Sequence, residues 1–339
     1  MQKAGALPHG RDMNARRAIQ IFFVIAGLAL LTGCSEKVSV DETSLVAGQR
    51  DEVYGKHEIS AKGSLSESQP AEAINFGITP WDEPEKLKRM YAPFIAHLSE
   101  RLKLRVRFVV AQEYNDLVAD LKRGIIHIAA FSPGAYSDAL DQGIEREAVY
   151  VASTQDSGNS HYRGLVISRP QYKSLKELKG KTFAFVEKGS SSGYKFPLAL
   201  LLQKGIDPYR YFSKVFYLGS HAHVVEAVAN GKADAGATWD GYAEKTPAYR
   251  DKKIATLFKT QPIPYDAILV YRKKGPQFAR KVQQHLLSID TKTTTASGEK
   301  VLNKELGFPY TGYVVHKPQV YDVVRQTSRL VKNYKPPKE

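Results

Sequence analysis

The apolar positions change their spacing along the chain, and each change marks an element. Residues 74–78 alternate apolar and small or polar positions in the two-residue rhythm of a strand. Over 84–103, Leu87, Met90, Tyr91, Phe94, Ile95, Leu98 and Leu102 recur three and four residues apart, which lays them on one helical face. A strand at 106–110 follows, then a helix at 115–122 with Leu117, Val118 and Leu121 inward and Gly124 as its stop, then a buried strand at 125–131. The same order recurs: a strand at 182–186, a helix at 194–204 stopped by Gly205, a strand at 215–218, a helix at 222–230 stopped by Gly231, and a strand at 233–238. Two β-α-β-α-β units in succession predict an α/β protein with a parallel sheet in each unit. A strand at 165–168 lies between the units, and one at 268–271 could carry the chain back to the first. Two α/β lobes joined by two crossings follow.

The N-terminus carries a different signal. Arg16 and Arg17 precede an apolar run over 19–31, which is too short for a comfortable membrane span and ends in Leu31-Thr32-Gly33-Cys34. A basic segment, a short apolar run and small residues before a cut site make a secretory signal peptide, 1–34. Its ending resembles a bacterial lipobox, in which the cysteine becomes the lipidated first residue of the mature protein. The segment before the run is long for such a signal, so Met1 and Met13 are both candidate starts. Cys34 is the single cysteine, which rules out a disulfide within the chain and leaves a lipid anchor or a free thiol behind a plain signal peptide. Residues 35–71 are polar and rich in Ser, Glu, Lys and Gly, the composition of a flexible tether.

Charge then narrows the partners. The net charge of +14 invites nucleic acid, an anionic membrane or an anionic ligand. The basic residues fall in short groups, such as Arg101, Lys103, Arg105 and Arg107, with no long block and no nucleic-acid motif. They read as solvated surface, and no nucleic-acid partner is expected.

In open parallel sheets, ligands sit beyond the carboxyl ends of the strands. Those ends hold Trp81, Tyr114, Tyr136, Ser190, Ser191, Ser192, Tyr194, His221, Trp239 and Asp240. Gly189-Ser190-Ser191-Ser192-Gly193 lies between a strand and a helix. It is either an anion site of hydroxyls and free backbone N–H groups or a loop whose serine caps the helix. The same residues match the G-x-S-x-G elbow of serine hydrolases, with Ser191, Asp266 and His316 in hydrolase order. His221 opens the next helix, where it could donate to an anion or lie on the surface. Histidine spacings typical of metal sites are absent and no cofactor is expected.

Four stretches together resemble the phosphonate-, phosphite- and phosphate-binding proteins of ABC importers. They are 189–197, the segment from Gly219-Ser220-His221 to Asp234, Pro262-Ile263-Pro264-Tyr265-Asp266, and 128–136. The resemblance spans roughly residues 74–315. It implies a two-lobed type II periplasmic-binding-protein fold with a hinged cleft. Lobe 1 would be 72–168 and 266–315, lobe 2 would be 169–265, and 316–339 a C-terminal helical segment. It also implies a monomeric, lipid-anchored protein outside the cytoplasm, which performs no chemistry and delivers a small phosphorus oxyanion to a permease. A binding protein serving a sensor kinase needs the same closed form and remains an alternative, as does the hydrolase. By position, Ser190, Ser191, Ser192, His221, Asp266 and Tyr114 match the family's ligand-holding residues. Asp266 either accepts a ligand proton or caps a turn. Phe131 falls where some members have a second tyrosine, and Tyr136 faces either the cleft or the core. An aminoalkyl substituent would call for Asp82, Glu83 or Asp240; a small apolar one for Trp81, Phe131 and Trp239.

Overall fold

A computed structural model describes residues 73–335 and a two-residue strand, β1 (Ile59–Ser60). Cys34, the signal segment and most of the tether lie outside the described residues.

The first β-α-β-α-β unit forms as its periodicity dictates. Strands β2 (Ala73–Ile78), β3 (Arg105–Val110) and β4 (Ile128–Phe131) run parallel in the order β3-β2-β4. Helix α1 (Pro84–Leu102) buries the apolar stripe read from the sequence, including Leu87, Met90, Phe94 and Leu98. Fully burying each such side chain contributes about 1.5–3 kcal/mol. Helix α2 (Tyr114–Arg123) stops at Gly124, whose φ of +75° suits a residue without Cβ. Helix α3 (Pro133–Asp141) leaves β4 through Ser132, whose hydroxyl accepts from Ala135 N.

The sheets are mixed rather than purely parallel. Strand β11 (Ala267–Tyr271) returns to the first lobe antiparallel to β4, and β5 (Ala148–Gln155) and β12 (Gly312–Val314) extend that edge. On the opposite edge, β1 pairs antiparallel with β3, so the tether segment contributes a short strand. The seven strands run β1-β3-β2-β4-β11-β5-β12.

The second sheet runs β10-β6-β9-β7-β8, built from β6 (His161–Ser168), β7 (Thr182–Phe185), β8 (Lys214–Tyr217), β9 (Ala235–Trp239) and β10 (Ala255–Pro264). Only β8-β7-β9 is parallel. The strand at 165–168, expected to close lobe 1, belongs instead to lobe 2, because it pairs with β9 and β10. The crossings therefore fall at 156–160 and 265–266. They are tied together: Tyr265 N donates to Ser160 O at 3.1 Å, and Thr154 N to Asp266 O at 3.0 Å.

Helices α4 (Phe196–Gln203) and α6 (His221–Ala229) cover the second sheet, and the short α5 (Pro208–Tyr211), α7 (Asp240–Ala243) and α8 (Pro247–Arg250) link its strands. Helix α9 (Pro276–Leu287) packs on the first lobe. The last helix, α10 (Asp322–Asn333), touches both lobes. Its Lys332 pairs with Asp138 and Asp141 of α3, while Thr327 accepts from Gln261 of β10. Among the described residues, no helix is long and apolar enough to cross a membrane.

Candidate ligand-binding site

The strand ends of both lobes and the second crossing converge on one cavity of about 30 Å³, room for about two or three waters. Lobe 2 contributes Ser190, Ser191, Ser192, Tyr162, His221 and Trp239. Lobe 1 contributes Thr79, Trp81, Tyr114, Ser132 and Tyr310, and the crossing contributes Tyr265 and Asp266.

The Ser-rich segment leaves β7 and winds through a single wide turn, Ser191–Lys195, before α4 begins. Gly193 is required there: a Cβ would lie 2.3 Å from a methyl of Val186. The capping reading describes Ser190. Ser190 Oγ caps the turn by accepting from Gly193 N at 3.1 Å. Ser191 Oγ accepts from Gly134 N, across the cleft, at 2.6 Å. A hydroxyl that accepts an N–H keeps its own proton to donate, so both serines can present O–H groups to an anion. Tyr114 and Tyr162 line the cavity beside these serines.

His221 is buried, and its Nδ1 lies 3.1 Å from Thr238 Oγ1. Burial depresses its pKa to about 3, so the ring is neutral at ordinary pH. In the tautomer whose Nδ1 accepts from Thr238, Nε2 carries the proton, and the ring can donate to an anion without adding charge. Asp266 stands on the crossing itself. Its Oδ2 accepts from Tyr310 at 2.6 Å, and burial raises its pKa to about 7, against the lowering by that hydrogen bond. The aromatic wall is continuous: Trp81 and Trp239 meet edge to face at 6.4 Å, Tyr162 packs on Trp239 at 5.4 Å, and Tyr265 lies 5.2 Å from Tyr162.

The cavity thus brings together Ser190, Ser191, Ser192, His221, Asp266, Tyr114 and Trp81. Four other candidates lie away from it. Phe131 ends β4 fully buried in the first-lobe core, and strand alternation turns the next residue, Ser132, into the cavity. Tyr136 faces the core, packed on Tyr321 at 4.9 Å and Tyr150 at 6.4 Å. Tyr194 lies on the far side of its turn against Phe185 and Tyr217. Asp240 is occupied in accepting from Arg163 N and Gly241 N. The other acidic rim residues are also engaged: Asp82 pairs with Lys86 at 2.5 Å, and Glu83 with His223 at 3.0 Å.

The hydrolase arrangement does not assemble among the described residues. His316 is absent from the cavity lining, and its backbone N donates to Tyr150 on another face. Nor do the described residues contain a group of three or more His, Cys, Asp or Glu that could hold a metal ion. Sequence reading missed Tyr162 and Tyr310 as lining residues. Tyr162 opens an antiparallel strand and Tyr310 sits in a loop, so neither follows a parallel strand end. Ser132 and Tyr265 fall inside the stretches 128–136 and 262–266 that carry the resemblance, and Thr79 directly follows the strand β2.

Residues 76–321 match the family model described as ABC transporter, phosphonate, periplasmic substrate-binding protein. The phosphate-import protein PhnD of Mycolicibacterium smegmatis is 27% identical over 226 residues, which cover 62% of this chain and 70% of that protein. A binding-protein component of an ABC phosphonate transporter from Pseudomonas aeruginosa superposes with a TM-score of 0.67 at 21% identity, covering 77% of this chain and 87% of that one. PhnD1 of Prochlorococcus marinus, solved with methylphosphonate, also gives 0.67, at 18% identity, with 78% of this chain and all of that one covered. With its fold and more than half its length matched, the chain belongs to the phosphonate-binding family of periplasmic substrate-binding proteins of ABC transporters.

Proposed function

We propose that this protein captures a small tetrahedral phosphorus oxyanion between its lobes and delivers it to an ABC permease, held to a membrane by a lipid on Cys34. The observation that carries the reading is one cavity lined by three serine hydroxyls, a neutral histidine and a carboxylate whose pKa is raised to about 7. Hydroxyls and the imidazole suit the anionic oxygens. Asp266 suits a ligand that still bears a proton, because a P–OH can donate to it where a sulfonate cannot. Ser190, Ser191, Ser192, His221 and Tyr114 would hold oxygens, with Asp266 taking the P–OH. No residue is asked to make or break a bond, and closure of the lobes would present the loaded form to the permease.

The substituent on phosphorus would be hydrogen, hydroxyl or methyl. Beside the Ser-rich turn, the walls are the rings of Trp81, Trp239, Tyr162 and Tyr265, in a space of about 30 Å³. The lining carboxylate, Asp266, is assigned to the P–OH, and Asp82, Glu83 and Asp240, which could meet an aminoalkyl group, lie outside the lining with other partners. Calorimetry with phosphate, phosphite, methylphosphonate, 2-aminoethylphosphonate and methanesulfonate tests both points. At least one of the first three should bind at least tenfold more tightly than either of the last two. A preference for the aminoalkyl ligand would overturn the size argument, and a preference for the sulfonate the phosphorus reading.

A further inference from the structure

We propose that Gly134 and Lys195, neither of which lines the cavity, are positioning residues that set its affinity by locking the first lobe onto the Ser-rich turn. The proposal rests on the reading of the cavity as a site that closes around a ligand.

The contact lies behind the serines. The first turn of α3 meets the wide turn Ser191–Lys195 of the other lobe. Gly134 N donates to Ser191 Oγ at 2.6 Å. Lys195 Nζ reaches back across the same gap, donating to Gly134 O at 3.0 Å and pairing with Asp138 Oδ2 at 2.6 Å. The ammonium is buried, with 4% of the side chain exposed, and Asp138 retains 13%. The other oxygen of Asp138 is 3.2 Å from Lys332 of α10, which also pairs with Asp141. One carboxylate of lobe 1 is thus held between an ammonium of lobe 2 and one of the last helix.

Lys195 sits in the turn that carries Ser191 and Ser192. Fixing its head group to lobe 1 fixes the turn that aims those hydroxyls. When the lobes part, water can hydrate both Lys195 and Asp138. When they meet, dehydration of Lys195 is offset by this pairing and by the Gly134 carbonyl, and that of Asp138 by Lys195 and Lys332. Losing one partner leaves a dehydrated charge and disfavours the closed arrangement. Apparent affinity then falls by the fraction of molecules able to close.

Gly134 makes the same point sterically. A Cβ there would lie 2.6 Å from Gly189 O and 2.9 Å from Ser191 Oγ, both in the opposite lobe. It lies in the first turn of α3 with an ordinary negative φ, so alanine suits its own lobe. The clash belongs to closure alone. Gly189 repeats the device from the other side, where a Cβ would lie 2.6 Å from Tyr114 Cβ.

The test compares the full-length wild type with Gly134→Ala and Lys195→Met. Methylphosphonate and inorganic phosphate serve as probes in calorimetry, with ligand-free melting and small-angle scattering alongside. Both variants should weaken binding of the better probe about tenfold or more. The ligand-free melting temperature of Gly134→Ala should be unchanged or raised, an outcome that a merely structural role would not give. Wild-type affinity in both variants overturns the proposal, and so does an affinity loss matched by ligand-free destabilisation in Gly134→Ala. If the wild type binds neither probe, the phosphorus reading fails. The latch is then judged by scattering, where Gly134→Ala must be more extended than wild type, and equal radii overturn it.

Discussion

Asp266 is a residue whose chemistry departs far from its free behaviour. It is buried and hydrogen-bonded by Tyr310, with its pKa raised from 3.8 to about 7. Between those two values an unfolded chain has lost the proton while the folded one keeps it. Stability therefore falls as pH rises through that window, and the full cost is present above about pH 7. Asp266→Asn removes the cost. Without ligand, the variant should melt about 5 °C or more above wild type at pH 8, with the gap shrinking toward pH 5. A constant gap across that range would show that Asp266 does not titrate there. The same proton governs selectivity. Below pH 7 Asp266 can donate to a sulfonate oxygen, so the preference for methylphosphonate over methanesulfonate should shrink from pH 8 to pH 5.5. In Asp266→Asn, whose amide donates at every pH, that preference should be small throughout. The sequence marked Asp266 as a candidate. It could not mark Tyr310 as its partner, because the two stand 44 residues apart.

The strand-turn-helix from β7 through α4 was legible as an element because its signals are local: an apolar strand, paired glycines around serines, and a stop at Gly205, where φ is +73°. Its wide turn was not legible, since the reason for it is the approach of Gly193 to Val186. Gly193→Ala should cost about 1–3 kcal/mol by overpacking, read as a lower urea midpoint at unchanged m-value. It should also displace the Ser190 cap, which Gly193 N anchors. An unchanged midpoint would mean that the turn yields without strain. Gly193 and Gly134 are both glycines in close contact, but one clash lies within an element of lobe 2 and the other only between lobes. The long antiparallel strands β5 and β10 escaped the reading because they are half-buried, with no sustained alternation to announce them.

For the molecule as a whole, the proposed anchor and the cleft should be separable. On the proposed lipidation of Cys34, Cys34→Ser should move the protein from the membrane to the soluble fraction while leaving methylphosphonate binding unchanged, since the segment ending in Leu31-Thr32-Gly33-Cys34 is the one strong membrane signal in the sequence. A variant that stays on the membrane would point to another attachment. The sequence by itself determined the α/β class, the two repeated units, the glycine stops and the Ser-rich turn at a strand end. Each of these depends on side-chain spacing or backbone torsion within a few neighbouring residues. Tertiary structure alone decided which rim residues share the cavity. It gave Asp82, Glu83 and Asp240 other partners, turned Tyr136 and Tyr194 into packing, and brought Tyr162 and Tyr310 inward. It also moved β6 into the second lobe and set Asp266 on the crossing. Those outcomes depend on burial and on hydrogen bonds between distant segments, such as Gly134 to Ser191, which periodicity does not encode.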